Sequence, residues 1–550
     1  MTARRQMWAT VALAVVLGWI VLYPLLLVAR ESVHGPEGVT FAYFGRFLRE
    51  AAAWRALWAS LWTSLASVIL AAAIGVPLAF LFERAEFPGR RLIGALVALP
   101  AVLPPLVGVI AFLFLYGETG FVARLVQAVL GRDEPPWRLE GAWAILLVHA
   151  YSMYVYFYLF TRAGLAALDR AAIEAAQSLG ASRWRTFRRV TIPLLTPSLR
   201  GAALLTFMTA LASFSAPYIF GGGFRVMPTQ IVFTRLNGDY GMAMVQTVVL
   251  SLVALAGMVL VGRDAGSAGG AGKGVAPGAT LIGSAALRRF ATVGGWLLGV
   301  LLLLPHATLV LLSFVPVGTW TIETFPPAYS LRNYQALVAD PERLRPLINS
   351  LWMATASTAA AVGAALLAAV LVVRRPRPGA RAVEWLLSLP WVVPGTVFAV
   401  ALATAFSVYS PWTARIVLVG TLWILPLAYV VRNLPIVSRA VLAGFRGLDP
   451  ALEEASASLG AGRWRTLSRV TAPLLRPALA AGATLAFVTA LGDFVTSIIL
   501  YTYDTRPMSL EILSSLRQGD VGVAAAYGVL LMVLSGAVFA LGSPRNVVPQ

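Results

Sequence analysis

A chain of 550 residues that is 59% hydrophobic and only 12% charged, with a mean hydropathy of +0.79, lies outside the composition of soluble globular domains and reads as a polytopic membrane protein. Its net charge of +19 sits in short basic loops between apolar runs, which points to membrane orientation rather than to nucleic acid as a partner. The absence of cysteine excludes structural disulfides, thiolate metal sites and a cysteine nucleophile.

A helix needs roughly 20 apolar residues to cross about 30 Å of hydrocarbon. The apolar runs here lack the alternation of barrel strands, so they predict helices. In chain order the spans are expected at 8–30, 57–82, 92–116, 141–161, 200–222 and 242–262, then at 290–315, 347–373, 382–407, 415–434, 479–501 and 523–542. The first run follows Arg4 and Arg5 but is longer than a signal-peptide core and has no small-residue cleavage site at its end, so it reads as a retained helix. Residues 263–288 are rich in Gly, Ala and Ser and read as a flexible linker between a first membrane domain, 1–262, and a second, 289–550. With the N-terminus inside, the inner segments hold 28 Lys and Arg and the outer loops 15, which favours both termini in the cytoplasm.

The two domains repeat each other. Glu174 to Leu199, EAAQSLGASRWRTFRRVTIPLLTPSL, returns from Glu454 as EASASLGAGRWRTLSRVTAPLLRPAL, with 18 of 26 positions identical. Further matches lie 290 apart, such as Ser60-Leu61-Trp62 with Ser350-Leu351-Trp352, Pro88-Gly89 with Pro378-Gly379, and Leu99-Pro100 with Leu389-Pro390. From Trp143 and Trp423 onward the offset is 280, so ten residues are lost in between, most simply in the outer loop containing GRDEPPWRLEGAW. Six spans per copy keep both copies in one orientation, a parallel repeat that places a pathway between the halves.

Each repeated loop predicts a helix, a glycine turn at Gly180 or Gly460, a second helix and a stop at Pro193 or Pro473. Asp169 and Glu174 lie early in the first of these helices, where carboxylates suit the positive end of the dipole. A lipid-facing amphipathic loop would not demand the small residues and fixed glycine found in both copies.

At these residues the chain resembles the permease subunits of bacterial binding-protein-dependent ABC importers, whose EAA loop carries Glu-Ala-Ala, a Gly, and a Pro about twenty residues from the Glu. The resemblance implies an all-α membrane protein of about twelve transmembrane helices, in two tandem six-helix repeats of the ABC type I importer permease fold. It implies that Glu174, Ala175, Ala176 and Gly180 contact one ATPase subunit, and Glu454, Ala455, Ser456 and Gly460 a second copy. Ser456 departs from the motif, which leaves room for two unequal contacts. The implied setting is the inner membrane, with a periplasmic substrate-binding protein docking on outer loops around Phe44 and Tyr334. No cofactor is expected in this chain. Its only lysine, Lys273, stands in GSAGGAGKG, which lacks the first Gly and the Ser/Thr of a phosphate-binding loop, so ATP with Mg²⁺ belongs to the partner ATPase.

Asp493 is the one acid well inside a predicted span, and Ser213 takes its place in the first copy. Both are candidate path residues, Asp493 either attracting a cation or locking two helices. The tyrosines of His149 to Tyr158, HAYSMYVYFY, read more readily as interfacial anchors than as a lumen. His34 and His306 lie too far apart to suggest a shared metal site. The stretch Ala212 to Ala243 is similar to ferric-iron permeases, so ferric iron is the expected substrate, with thiamine, a phosphonate or a polyamine as alternatives. A remote alternative is an intramembrane aspartyl protease using Tyr503-Asp504 and Gly492-Asp493, but Ala490 replaces the motif's first Gly and the order is reversed.

Overall fold

The computed structural model describes residues 3–262, 280–281, 284–320, 323–374, 379–413 and 415–542, so most of the predicted linker, Lys273 included, lies outside the described residues. The first half contains α1 (Met7–Glu31), α2 (Ala51–Arg84), α3 (Arg90–Ala98), α4 (Pro105–Tyr116), α5 (Gly141–Ala166), α6 (Arg183–Leu211) and α7 (Tyr240–Gly262). The second contains α8 (Ala285–Ser313), α9 (Pro341–Val372), α10 (Ala380–Val392), α11 (Gly395–Ala405), α12 (Ile424–Gly447), α13 (Arg476–Leu491) and α14 (Val521–Gly542). Ten described helices are long and apolar enough to cross a membrane, or twelve when two bent pairs are each taken as one span.

Several expected spans are broken. The third divides into α3 and α4 around Leu99 to Pro104, and its counterpart bends by 113° between α10 and α11. Prolines at both sites remove backbone donors and force the preceding residue out of helix. The span expected at 415–434 is displaced: α12 begins at Ile424 and continues to Gly447 with Pro435 inside it. Pro193 also does not stop its helix. A π turn at Phe187–Thr191 precedes it, and α6 runs on to Leu211, because the wide turn tolerates a residue with no N–H to donate. An equivalent π turn, Leu467–Thr471, occupies the second copy, but there the chain bends by 71° before α13.

Within each half the closest pairing is α2 with α5 and α9 with α12. It is built on matched small residues: Ser60, Ser64, Ser67, Ala71 and Gly75 on α2 correspond to Ser350, Ala354, Ser357, Ala361 and Ala365 on α9, and all are buried. Without lipid exclusion to drive association, close backbone approach supplies the packing energy. At Gly75 a Cβ would collide with the Tyr154 carbonyl and lie 2.7 Å from Phe157 Cβ.

The aromatic run on α5 is buried rather than interfacial. Tyr154 donates to the Val97 carbonyl at 2.5 Å, Tyr158 to Gly94 at 3.2 Å and Tyr151 to Leu302 at 2.8 Å. A buried hydroxyl must find an acceptor, and these find one on α3 and α8.

The halves exchange their first helices. Leu13, Leu17 and Val21 of α1 are buried in one cluster with Ala361, Ala365, Val383 and Val441 of the second half. Reciprocally, Ala291 and Leu302 of α8 join Phe82, Ile93 and Tyr154 of the first.

Candidate central cavity and repeated loops

The helix breaks of both halves converge on a cavity of about 470 Å³. The repeat aligns Ser152 with Arg432, His149 with Tyr429 and Ser213 with Asp493, and all but Tyr429 line this cavity. Both candidate path residues, Ser213 and Asp493, therefore sit on its wall.

On the first-half wall His149 is held at both ring nitrogens, 2.8 Å from Ser67 Oγ and 2.8 Å from Ser213 Oγ. Ser67 donates its own proton to the Thr63 carbonyl at 2.6 Å. Nδ1 must then donate to Ser67, and Nε2 accepts from Ser213. The imidazole is a neutral strut between α2 and the break after α6.

On the second-half wall the Asp493 carboxylate accepts from Thr496 N (3.0 Å), Ser497 N (3.1 Å), Thr496 Oγ1 (3.1 Å), Ser497 Oγ (3.2 Å) and Arg432 Nη1. Two oxygens offer about four lone-pair sites, so five donors saturate them. Its side chain is 3% exposed against 28% for Arg432. The geometry is that of a helix lock, with the guanidinium rather than the carboxylate turned to the open volume. Tyr429 completes the lock through Ser497 Oγ at 2.7 Å.

The repeated loops match closely. The helices Arg170–Ser178 and Pro450–Ser458 are capped by Asp169 and Asp449, each accepting from a backbone N–H at 2.9 Å. Gly180 and Gly460 follow at φ +80° and +79°, the left-handed region that glycine enters at no steric cost. Glu174, Ala175 and Gly180 are exposed, as are Glu454, Ala455 and Gly460, while Ala176 and Ser456 are half-buried. Leu179 and Leu459 are each 89% exposed, and Trp184 and Trp464 stand out beside them.

Ser456 points inward. Its hydroxyl lies 3.0 Å from Thr466 Oγ1, whereas the equivalent Thr186 Oγ1 opposite Ala176 is buried without a partner. The departure from Glu-Ala-Ala thus serves the loop's interior. The loops are also anchored differently, the first by Phe187 packed edge-on against Phe80, the second by Glu453 paired with Arg374 at 3.0 Å.

A family model described as "Binding-protein-dependent transport system inner membrane component" matches residues 71–263 and again 361–543. The chain belongs to this family. It is a fused two-domain permease, a transport subunit rather than an enzyme. A probable ABC transporter permease of Sinorhizobium fredii is 29% identical over 95% of the chain and 94% of its own length. The ferric transport system permease FbpB of Actinobacillus pleuropneumoniae is 29% identical over 80% of the chain and 64% of its own. The thiamine transport system permease ThiP of Escherichia coli is 26% identical over 90% of each.

In this permease the two acids of the protease alternative serve different partners. Asp493 is locked to Arg432, and Asp504 is 76% exposed and paired with Arg345 at 3.1 Å. Among the described residues no group of three or more His, Asp or Glu could hold a metal ion. Sequence reasoning missed Arg432, because the displaced span placed it at a helix end, among the loop charges. The repeat itself carried the signal: a charge replaces Ser152 at an aligned position in the middle of α12.

Proposed function

We propose that the permease is the translocation subunit of an ATP-driven importer, and that its two repeated loops each seat one copy of a partner ATPase in the cytoplasm. The observation that carries this reading is the pair of loops, which expose the same apolar and small residues around the same left-handed glycine. Water-exposed Leu and Trp side chains in duplicate favour a partner surface over free solvent. The surplus of Lys and Arg on the loop side supports cytoplasmic termini in an inner-membrane protein. ATP with Mg²⁺ acts in the partner, whose closure draws the two loops together and opens the cavity toward a periplasmic binding protein.

Ferric iron is the substrate favoured here, because two ferric transport permeases stand among the relatives at 29% identity. Proteoliposomes holding the permease, its ATPase and its binding protein test this: ATP-dependent uptake of ⁵⁵Fe(III) is expected. Uptake of thiamine without iron overturns the substrate assignment, and ATP-independent uptake overturns the importer reading.

A further inference from the structure

We propose that Arg432 and the N-terminus of α11 form an oxyanion-binding subsite in the central cavity, so that the substrate crosses as an anion or inside an anionic shell of oxygen ligands. The proposal rests on the importer reading and deepens it. Arg432 spends one nitrogen, Nη1, on Asp493 and on Thr496 Oγ1 at 3.0 Å. Among the described residues its Nε and Nη2 make no hydrogen bond, and neither is among the buried atoms lacking a partner. Those donors therefore reach the open volume that Arg432 lines.

The guanidinium packs on Gly395, where a Cβ would lie 3.0 Å from its Cζ and 3.3 Å from Nε. Gly395 is the first residue of α11, an 11-residue helix in which Val397 N and Phe398 N bond to the Pro394 carbonyl at 3.0 and 3.3 Å, which leaves the N–H groups of Gly395 and Thr396 without an acceptor among the described residues. A cation resting on the positive end of a helix is unfavourable unless an anion joins them. Asp493 meets that demand on one side only, since its oxygens are saturated and buried.

The first-half wall has a helix start of its own, at α4, but neither charged group. Ser152 replaces Arg432, Ser213 replaces Asp493, and Pro105, with no N–H, replaces Gly395 at the start of α4. Guanidinium and backbone N–H donors together suit phosphate, sulfate or the carboxylates of a ferric chelate. A bare cation meets donors rather than acceptors at these two groups.

The full chain in lipid nanodiscs is tested for equilibrium binding of [³²P]phosphate and of ⁵⁵Fe(III)-citrate, with chloride holding ionic strength constant. Binding of phosphate identifies a free oxyanion, and binding of ferric citrate alone identifies the ligand shell of a metal complex. Either supports the proposal if the neutral pair Arg432→Met/Asp493→Asn weakens it by roughly tenfold or more. Asp493→Asn alone, which keeps the guanidinium, is expected to retain binding. Equal binding by wild type and the neutral pair, or no binding of either probe, overturns the subsite. Wild-type ATP-dependent uptake by the neutral pair in proteoliposomes also overturns it while leaving the importer reading intact, whereas absence of uptake by the wild type would count against the importer.

Discussion

Gly180 and Gly460 offer the sharpest test of the loops, because the structure separates their two constraints. Each holds φ near +80°, yet a Cβ added at either would meet nothing within 4 Å. Replacement by alanine therefore creates no clash inside the chain and acts only through the backbone, where the left-handed conformation costs an L-residue about 1–2 kcal/mol. That shifts the balance between closed and frayed loop by roughly 5–30-fold at each site. Both loops fray into solvent, so the spans and the melting temperature should change little. In proteoliposomes, Gly180→Ala/Gly460→Ala should lower ATP-dependent uptake while the ATPase loses its coupling to transport. The corresponding asparagine pair should be milder, since asparagine tolerates this conformation. Tryptophan at both sites adds bulk on the proposed docking face and should abolish uptake in a protein that still inserts. Wild-type transport by the alanine and tryptophan pairs would refute the reasoning.

Four further outcomes follow from the packing. Arg432→Met leaves the buried Asp493 carboxylate unpaired and should destabilise the permease by about 3–5 kcal/mol, with Asp493→Asn in the same chain restoring most of the loss in a thermal melt. Gly75→Leu drives a side chain into the Tyr154 backbone and should cost about 1–3 kcal/mol or more by overpacking, read as reduced yield of monodisperse protein. Ser60 accepts from Met227 N at 2.7 Å and Ser350 from Met508 N at 2.8 Å, so each change to alanine strands a buried N–H and should cost about 1–3 kcal/mol in denaturant titration. Chains split between residues 262 and 284 should yield a stable permease only when both halves are co-expressed, because α1 and α8 each bury part of their apolar surface on the opposite half.

The helical membrane fold, the duplication and the glycine turns were legible because each rests on a local pattern: apolar length, a repeated motif, a residue able to hold positive φ. The exchange of α1 and α8 was not, since an apolar helix carries no label for the partner it buries against. Proline marked the breaks at Pro104 and Pro394 without saying whether a span would bend or be spared by a π turn, as at Pro193. The tyrosines of α5 misled for a related reason. A hydroxyl on an apolar ring suits an interface or a buried acceptor equally, and only the carbonyls of Gly94, Val97 and Leu302 decide between them. Arg432 was hidden by a span boundary placed too early, which turned a cavity residue into an apparent loop charge.

The repeat diverges unevenly, and the pattern follows what each surface faces. On the proposed reading both loops meet copies of one ATPase, so their outward residues answer to a single shape. The departure from Glu-Ala-Ala, Ser456 for Ala176, is spent inside the loop on Thr466. A cavity between the halves is under no such symmetry, because one substrate touches both walls at once and need not be symmetric. Its first-half wall is neutral, with His149 fixed as a strut. The second-half wall places a guanidinium and a helix N-terminus side by side. Moving the charge across the pseudo-axis tests whether position or mere presence matters. Ser152→Arg/Ser213→Asp combined with Arg432→Ser/Asp493→Ser keeps the composition of the cavity, but Pro105 still lacks the N–H that Gly395 supplies. If the helix end contributes, this exchanged permease should bind phosphate more weakly than wild type, and equal binding would assign the subsite to the arginine alone.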